Sequence, residues 1–175
     1  MKQTLEVSDL LNIIDYEKQR DTYRKDVIEY KKNRRFKLGP NILITFGGTD
    51  QNNLTQKTLQ LIVNQLQEIK IFVVLGIGYD KVDTIDQFKD VSNVEILSDI
   101  KNISDYIYNA DIILTASGRT VYEIASIGTP TIVLAQNKRE LLHPFATEEN
   151  GFINLGLGLE VEESKLLTSL HKLVS

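Results

Sequence analysis

The sequence has 175 residues, of which 42% are hydrophobic, 25% are charged and none is cysteine. This length predicts one compact domain, and the lack of cysteine excludes disulfides and thiolate chemistry and favours a reducing cytoplasm. No apolar run approaches the ~20 residues that span a bilayer, and the first residues lack the apolar core of a signal peptide. The net charge of −4 argues against a nucleic-acid-binding protein. We therefore expect a soluble cytoplasmic protein without a membrane span.

Metal and cofactor chemistry is also disfavoured by composition. The chain has only two histidines, His143 and His171, and no cysteine. A zinc site would then need carboxylates for most of its ligands, which is unusual for that ion. We expect no metal and no cofactor.

Residues 1–40 predict a helical segment that precedes the main domain. Residues 8–35 contain neither Gly nor Pro. A helical spacing of apolar residues begins with Leu10, Ile13 and Ile14, and Ser8 is a candidate N-cap. Gly39-Pro40 ends the segment. Basic residues cluster at its C-terminal end, where the helix dipole favours cations, and such a cluster is typical of a solvated helix end. Its members are Lys31, Lys32, Arg34, Arg35 and Lys37.

Residues 41–175 alternate short apolar runs with helical stretches, which indicates an α/β fold with a parallel sheet. Runs such as IFVVLG and TIVLA are continuously apolar, as expected for strands buried on both faces. The predicted strands are Ile42–Phe46, Ile69–Leu75, Val94–Leu97, Ile112–Leu114, Thr131–Leu134 and a short run near Ile153. The predicted helices are Asn53–Gln67, Tyr79–Phe88, Ile103–Asn109, Thr120–Ile127, Arg139–Glu149 and Glu162–Leu173. The pattern predicts a Rossmann-like, doubly wound parallel sheet of about six strands.

The first strand ends in Gly47-Gly48-Thr49-Asp50. Paired glycines let the backbone approach a ligand, and Thr49, Asp50 or Asn52 can cap the following helix, whose N-terminus attracts anions. Two interpretations of this motif stay open: a binding site for a phosphate or sugar, and a tight strand-to-helix turn with a capping residue. It matches neither G-x-G-x-x-G nor a Walker motif. The shorter Gly76-x-Gly78 after the second strand favours a backbone turn.

The most informative segment runs from Ser117 through Gly118, Arg119 and Thr120 to Glu123. It follows a strand and opens a helix, so its amides, hydroxyls and guanidinium suit a diphosphate at a positive helix end. Glu123 is either the second member of a Thr-x-x-Glu capping box or an acceptor for both ribose hydroxyls of a nucleotide.

The fifth strand leads into Gln136 and Asn137, whose amides can hydrogen-bond to sugar hydroxyls. Glu140 and His143 follow and are candidate acid or base groups, since histidine titrates near neutrality. A structural role for His143 is the alternative.

The motifs GGTD, SGRTVYE and GTPTIVLAQN, in this order, resemble the C-terminal half of GT-B nucleotide-sugar enzymes. The similarity spans about residues 41–170 and is to the UDP-sugar hydrolases of pseudaminic acid synthesis and the spore coat polysaccharide proteins, and more distantly to MurG-like transferases. It implies a nucleotide-binding domain, with glycine-rich turns at the diphosphate, Glu123 at the ribose, the Ile100 loop at the uracil and Asn137 at the sugar. The implied binding residues are Gly47, Gly48, Thr49, Ile100, Ser117, Gly118, Arg119, Thr120, Glu123 and Asn137.

The resemblance implies partners as well as a site. GT-B enzymes have two such domains, so we expect a UDP-sugar as small-molecule partner and an N-terminal domain of the same polypeptide before Met1. The parent enzyme would hydrolyse a UDP-2,4-diacetamido-trideoxyhexose, releasing UDP, for nonulosonic (pseudaminic or sialic-like) acid or surface polysaccharide synthesis. Two alternatives stay open: the donor domain of a glycosyltransferase, and a non-catalytic binding or assembly module of a bifunctional acylneuraminate cytidylyltransferase. The oligomeric state stays open too.

Overall fold

A computed structural model describes residues 18, 21–34 and 39–174. Six parallel strands form one sheet in the order β3-β2-β1-β4-β5-β6. The strands are β1 (Asn41–Thr45), β2 (Lys70–Leu75), β3 (Val94–Ser98), β4 (Ile112–Thr115), β5 (Thr131–Ala135) and β6 (Phe152–Leu157). The predicted Rossmann-like parallel sheet is confirmed, and each predicted strand lies at its expected place in the chain.

Helices connect the strands and cover both faces of the sheet. They are α1 (residues 21–34), α2 (Leu54–Ile62), α3 (Val82–Ile85), α4 (Ile103–Asn109), α5 (Thr120–Ile127), α6 (Lys138–Leu141) and α7 (Glu163–Val174), with 3₁₀ turns at Asp86–Phe88 and Glu148–Asn150. The predicted helix Arg139–Glu149 is wrong in extent. It stops before Pro144, because a proline disfavours helical backbone at the residue preceding it.

The core lies on both sides of the sheet, as β1 illustrates. Ile42 and Ile44 pack into one apolar cluster beneath α2 and α7. Leu43, between them, packs into a second cluster beneath α4 and α5. All three side chains are at most 1% exposed. Successive residues of a strand point to opposite faces, so a strand covered on both faces needs apolar residues at every position.

Helix α1 packs against the ends of the strands through polar anchors. Arg34 forms a buried ion pair with Asp111, which directly precedes β4. The Lys31 Nζ donates to the Ala110 carbonyl at 2.7 Å and to Thr129 Oγ1 at 2.6 Å. The prediction of a solvated basic helix end is therefore wrong for Lys31 and Arg34.

The other expectations for the N-terminal segment concern positions that the structure does not describe. Ser8, Leu10, Ile13, Ile14, Arg35 and Lys37 lie outside the described residues. In the described part of the chain, no helix is both long and apolar enough to cross a membrane.

Candidate functional site

The candidate site is a cleft at the carboxyl ends of the central strands. The chain runs outward from β1 toward β3 on one side and from β4 toward β6 on the other. Loops diverge at such a switch point and leave a crevice for a ligand. Here the loops after β1, β4 and β5 enclose a cleft of about 370 Å³. Its lining residues are Phe46, Gly47, Gly48, Thr49, Asp50, Gln51, Thr115, Ala116, Gly118, Arg119, Thr120, Gln136, Asn137 and Glu140.

One wall of the cleft is the glycine turn after β1. Gly47 has φ of 81°, a left-handed conformation that favours glycine. Added Cβ atoms at Gly47 or Gly48 would meet open space, so this wall leaves room for a ligand. Behind it, the amide of Gly78 donates to the Gly48 carbonyl at 2.9 Å, and a Cβ on Gly76 would collide with the carbonyl oxygens of the turn. The Gly76-x-Gly78 motif thus supports the β1 turn by close packing.

Asp50 fixes the start of α2 from within the same turn. Its two carboxylate oxygens accept from the amides of Leu54 and Thr55, both at 2.8 Å. Its Oδ1 also accepts from Gln136 Nε2 at 2.5 Å. Asp50 is 3% exposed with φ of 42°. Of the candidate caps, Asp50 is the one that caps the helix, and its carboxylate is used in hydrogen bonds within the protein.

The opposite wall is the N-terminus of α5. Gly118, Arg119 and Thr120, three of the residues predicted to bind a diphosphate, line the cleft there. Among the described residues, no hydrogen bond uses the amides of these three residues, and no acidic group pairs with the exposed Arg119. Free amides and the positive end of the helix dipole favour a bound anion.

Ser117 lies just behind this wall and is 1% exposed. Its amide donates to Glu140 Oε2 at 3.2 Å, so that amide is already occupied. Its Oγ is buried without a hydrogen-bond partner in the described structure. Ser117 therefore supports the wall, and its hydroxyl is an unsatisfied polar group of the kind that ligands or waters satisfy.

Glu123 and Ile100 lie outside the cleft lining, on segments of the chain that contact each other. The exposed Glu123 carboxylate accepts from Ser104 Oγ of α4 at 3.4 Å, and Ile100 lies three residues before the first residue of that helix. Arg119 holds the N-cap position of α5 without a side-chain cap, so the capping-box alternative for Thr120 and Glu123 is not formed. The Ile100 side chain packs against the second core cluster, which leaves its backbone for any contact with a base.

The loop after β5 supplies two amide side chains with different environments. Asn137 is exposed, and its Oδ1 accepts from the Glu140 amide at 3.1 Å, which caps α6. Gln136 is 7% exposed. It donates to Asp50, and its Oε1 accepts from the Asn52 amide at 3.2 Å. Internal bonds thus involve both polar atoms of the Gln136 side chain, and its binding of sugar hydroxyls stays a prediction.

His143 does not line the cleft. Its ring lies 5.5 Å from that of Tyr122, and its Nδ1 is buried without a partner in the described structure. This packing matches the structural alternative for His143. In the described ranges, no group of three or more His, Cys, Asp or Glu residues is placed to hold a metal ion.

Sequence reasoning missed the role of Glu140 as an internal acceptor. Its Oε2 binds the amide of Gln136 at 2.8 Å as well as that of Ser117. The available signal was the spacing. Helix α6 begins three residues after the end of the buried strand β5, and Glu140 lies in its first turn, close to the end of that strand.

Comparison with known families gives two matches. The model described as Glycosyltransferase family 28 C-terminal domain matches residues 41–174, which contain the whole sheet and the cleft. A model described as a protein of unknown function (DUF3501) matches residues 4–71.

Two curated proteins are similar over part of their length. An uncharacterized protein of Methanocaldococcus jannaschii, MJ1062, is 32% identical over 119 residues, which cover 66% of this chain and 24% of that protein. The spore coat polysaccharide biosynthesis protein SpsG of Bacillus subtilis is 24% identical over 140 residues, covering 77% of this chain and 41% of SpsG. The chain thus spans less than half the length of either relative.

Solved structures share the fold at low identity. MurG of Acinetobacter baumannii matches with a TM-score of 0.57 and 20% identity over 78% of this chain and 42% of MurG. A putative UDP-N-acetylglucosamine 2-epimerase of Listeria monocytogenes matches with a TM-score of 0.53 and 14% identity over 77% of this chain and 36% of the epimerase.

Proposed function

The chain belongs to the glycosyltransferase family 28 C-terminal domain family, and on that basis we propose that it binds the nucleoside diphosphate of a nucleotide sugar. One observation carries the proposal. The N-terminus of α5 presents to a cleft at the switch point of the sheet amides and an Arg119 side chain that have no partner among the described residues. Oriented amides, a helix dipole and a guanidinium are the groups that bind phosphates well.

The charge distribution of the cleft supports an anionic ligand. Two carboxylates line it, but Asp50 accepts three hydrogen bonds and Glu140 accepts two from groups of the protein itself. Arg119 has no such internal partner in the described structure. We assign the diphosphate to Gly118, Arg119 and Thr120, with the buried Ser117 hydroxyl as a further donor.

The remaining contacts follow the same orientation. Gly47, Gly48 and Thr49 form the exposed opposite wall, where backbone can approach the phosphates or the sugar. Asn137 lines the cleft with its Oδ1 used in capping, so its Nδ2 is the group left for a sugar hydroxyl.

We place the nucleoside beyond the cleft, between α4 and α5. The hydrogen bond from Ser104 to Glu123 brings the start of α4 next to the first turn of α5. This contact supports Glu123 at the ribose hydroxyls and the backbone of Ile100 at a uracil.

For the whole protein we propose hydrolysis of a UDP-2,4-diacetamido-trideoxyhexose in nonulosonic acid or surface polysaccharide synthesis. Water would attack the anomeric carbon while the bond to the diphosphate breaks, and the α5 N-terminus would stabilise the charge that develops on departing UDP. The family assignment and the similarity to SpsG support a nucleotide-sugar reaction. Transfer of the sugar to an acceptor hydroxyl uses the same donor site and is the second candidate. Both need a further domain to provide the water- or acceptor-side groups.

Titration calorimetry with UDP tests the binding proposal. We expect a complex that weakens about tenfold in Arg119→Ala, which corresponds to ~1.4 kcal/mol. Arg139→Ala is the matched control, because Arg139 is exposed and outside the cleft lining. Glu123→Ala should lower the affinity for UDP. Glu149→Ala, at an exposed glutamate on the 3₁₀ turn, should not. Absence of binding at roughly millimolar UDP, which is ~4 kcal/mol of affinity, would overturn the proposal.

The reaction of the whole protein needs its own experiment. The complete polypeptide is incubated with the UDP-sugar, and UDP and free sugar are quantified by chromatography. Release of both in equal amounts without an acceptor supports hydrolysis. Release that requires an added acceptor and yields a glycoside supports transfer instead.

A further inference from the structure

We propose that Glu140 is a positioning residue for the diphosphate site, a role that rests on the function proposed above. Its carboxylate ties the loop after β4 to the loop after β5 and so fixes the direction in which the N-terminus of α5 presents its amides. Glu140 acts through Ser117 and Gln136, and it holds no ligand atom itself.

The need for such a tie follows from where the sheet ends. Strands β4 and β5 pair in register only as far as Thr115 and Val133. Ser117 and Gln136 lie beyond that point, and no backbone hydrogen bond between described residues joins their two loops. Glu140 Oε2 replaces the missing ladder by accepting from both amides, at 3.2 Å and 2.8 Å.

Glu140 is itself held in place from two directions. Its amide donates to Asn137 Oδ1 at 3.1 Å, which fixes the backbone of α6. Gln136, bound by the carboxylate, continues through its side chain to Asp50 of the loop after β1. One connected set of hydrogen bonds therefore joins all three loops of the cleft.

Loss of the carboxylate would leave two amides without partners. Ser117 and Gln136 are 1% and 7% exposed, so water reaches their amides poorly, and a buried amide without a partner is costly. The loops would shift until these groups find water, and Gly118, Arg119 and Thr120 would shift with them.

The shared oxygen makes the proposal sharply testable. Since Oε2 accepts both bonds, the single carbonyl oxygen of glutamine can replace it without the negative charge. Removal of a negative charge from the lining of an anion site does not weaken anion binding. We therefore expect Glu140→Gln to bind UDP at least as well as the wild type. A residue that acted by accepting a proton would lose function in this variant.

The experiment combines nuclear magnetic resonance with titration of UDP on the whole chain. In Glu140→Ala we expect the amide resonances of Ser117, Gln136 and Gly118–Thr120 to move and the affinity for UDP to fall about tenfold, or ~1.4 kcal/mol. Glu140→Gln should keep both the resonances and the affinity. Glu140→Asp, one methylene too short to reach both amides, should resemble Glu140→Ala and gives a second variant if alanine impairs folding. Glu148→Ala, at an exposed glutamate, is the control.

Each outcome decides the proposal. Unmoved resonances in Glu140→Ala and Glu140→Asp, or moved resonances with unchanged UDP affinity, overturn it. A glutamine variant that binds as poorly as the alanine variant also overturns it, because charge would then be the active property. If the wild type does not bind UDP, the proposed function fails, while the resonances of Gly118–Thr120 still show whether Glu140 positions the start of α5.

Discussion

Asp50 gives the sharpest prediction for stability, because one side chain joins two elements. Replacing it with alanine removes the cap of α2, for which losses of about 1–2 kcal/mol are usual. It also leaves the buried Gln136 Nε2 without its acceptor, which costs about 1–3 kcal/mol. Asp50 has φ of 42°, and an alanine held in the left-handed region adds about 1 kcal/mol. We expect Asp50→Ala to lower the free energy of unfolding by about 3–6 kcal/mol.

The assay is urea unfolding followed by circular dichroism, in which the midpoint falls while the slope with urea stays unchanged. Asp50→Gly removes the same hydrogen bonds without the backbone strain, so it should lose about 1 kcal/mol less than the alanine variant. Asp90→Ala, at an exposed aspartate in a turn, is the control and should stay within about 0.5 kcal/mol of wild type.

Two results would refute this reasoning. A loss below about 1 kcal/mol in Asp50→Ala would mean that the carboxylate does not hold the amides of α2 in solution. Equal losses in the alanine and glycine variants would mean that the left-handed backbone at this position costs alanine nothing.

Three further predictions concern the glycine support, the buried ion pair and a buried phenol. Gly76→Ala should displace the β1 turn and lower both the free energy of unfolding and the affinity for UDP. Gly118→Ala, whose Cβ meets open space, should unfold like the wild type. Urea titration measures the stability of the two variants, and calorimetry measures their affinity for UDP. Asp111→Ala should lower the free energy of unfolding by about 3–5 kcal/mol, because it leaves the buried Arg34 charge without its carboxylate. The double variant Arg34→Met, Asp111→Leu should lower it by less in the same urea assay. Burial raises the pKa of the Tyr79 phenol, so the folded state keeps this proton at pH values where the unfolded chain releases it. The stability advantage of wild type over Tyr79→Phe should therefore be constant below pH ~10 and shrink above it, as urea unfolding across alkaline pH will show.

Sequence patterns predicted the sheet well, for a reason visible in β1. Its residues are buried on both faces, so the strand must be apolar throughout, and a continuous apolar run between turn residues is easy to recognise. The predicted helices Ile103–Asn109 and Thr120–Ile127 match the structure at both ends. The predicted helix Arg139–Glu149 was wrong in extent. Its apolar spacing continued across Pro144, but the helical backbone ended before that residue.

Side-chain partners were much harder to predict, because they join distant parts of the chain. Arg34 and Asp111 are 77 residues apart, and nothing near Arg34 in sequence indicates a buried acid. Gln136 follows a strand at the correct edge of the sheet, which is where a ligand contact is expected. Only the arrangement of Asp50 and Asn52 around it reveals that its polar atoms are already in use.

Strand β4 is only four residues long, and the polar groups beyond its two ends serve different purposes. At its start, Asp111 forms a buried ion pair with Arg34 of α1. Past its end, Arg119 stands exposed and unpaired among the described residues. A library of random substitutions scored separately for soluble expression and for nucleotide capture should therefore divide along this strand. Damage to expression should concentrate at the edge where β4 begins, and damage to capture alone should concentrate at the edge where it ends.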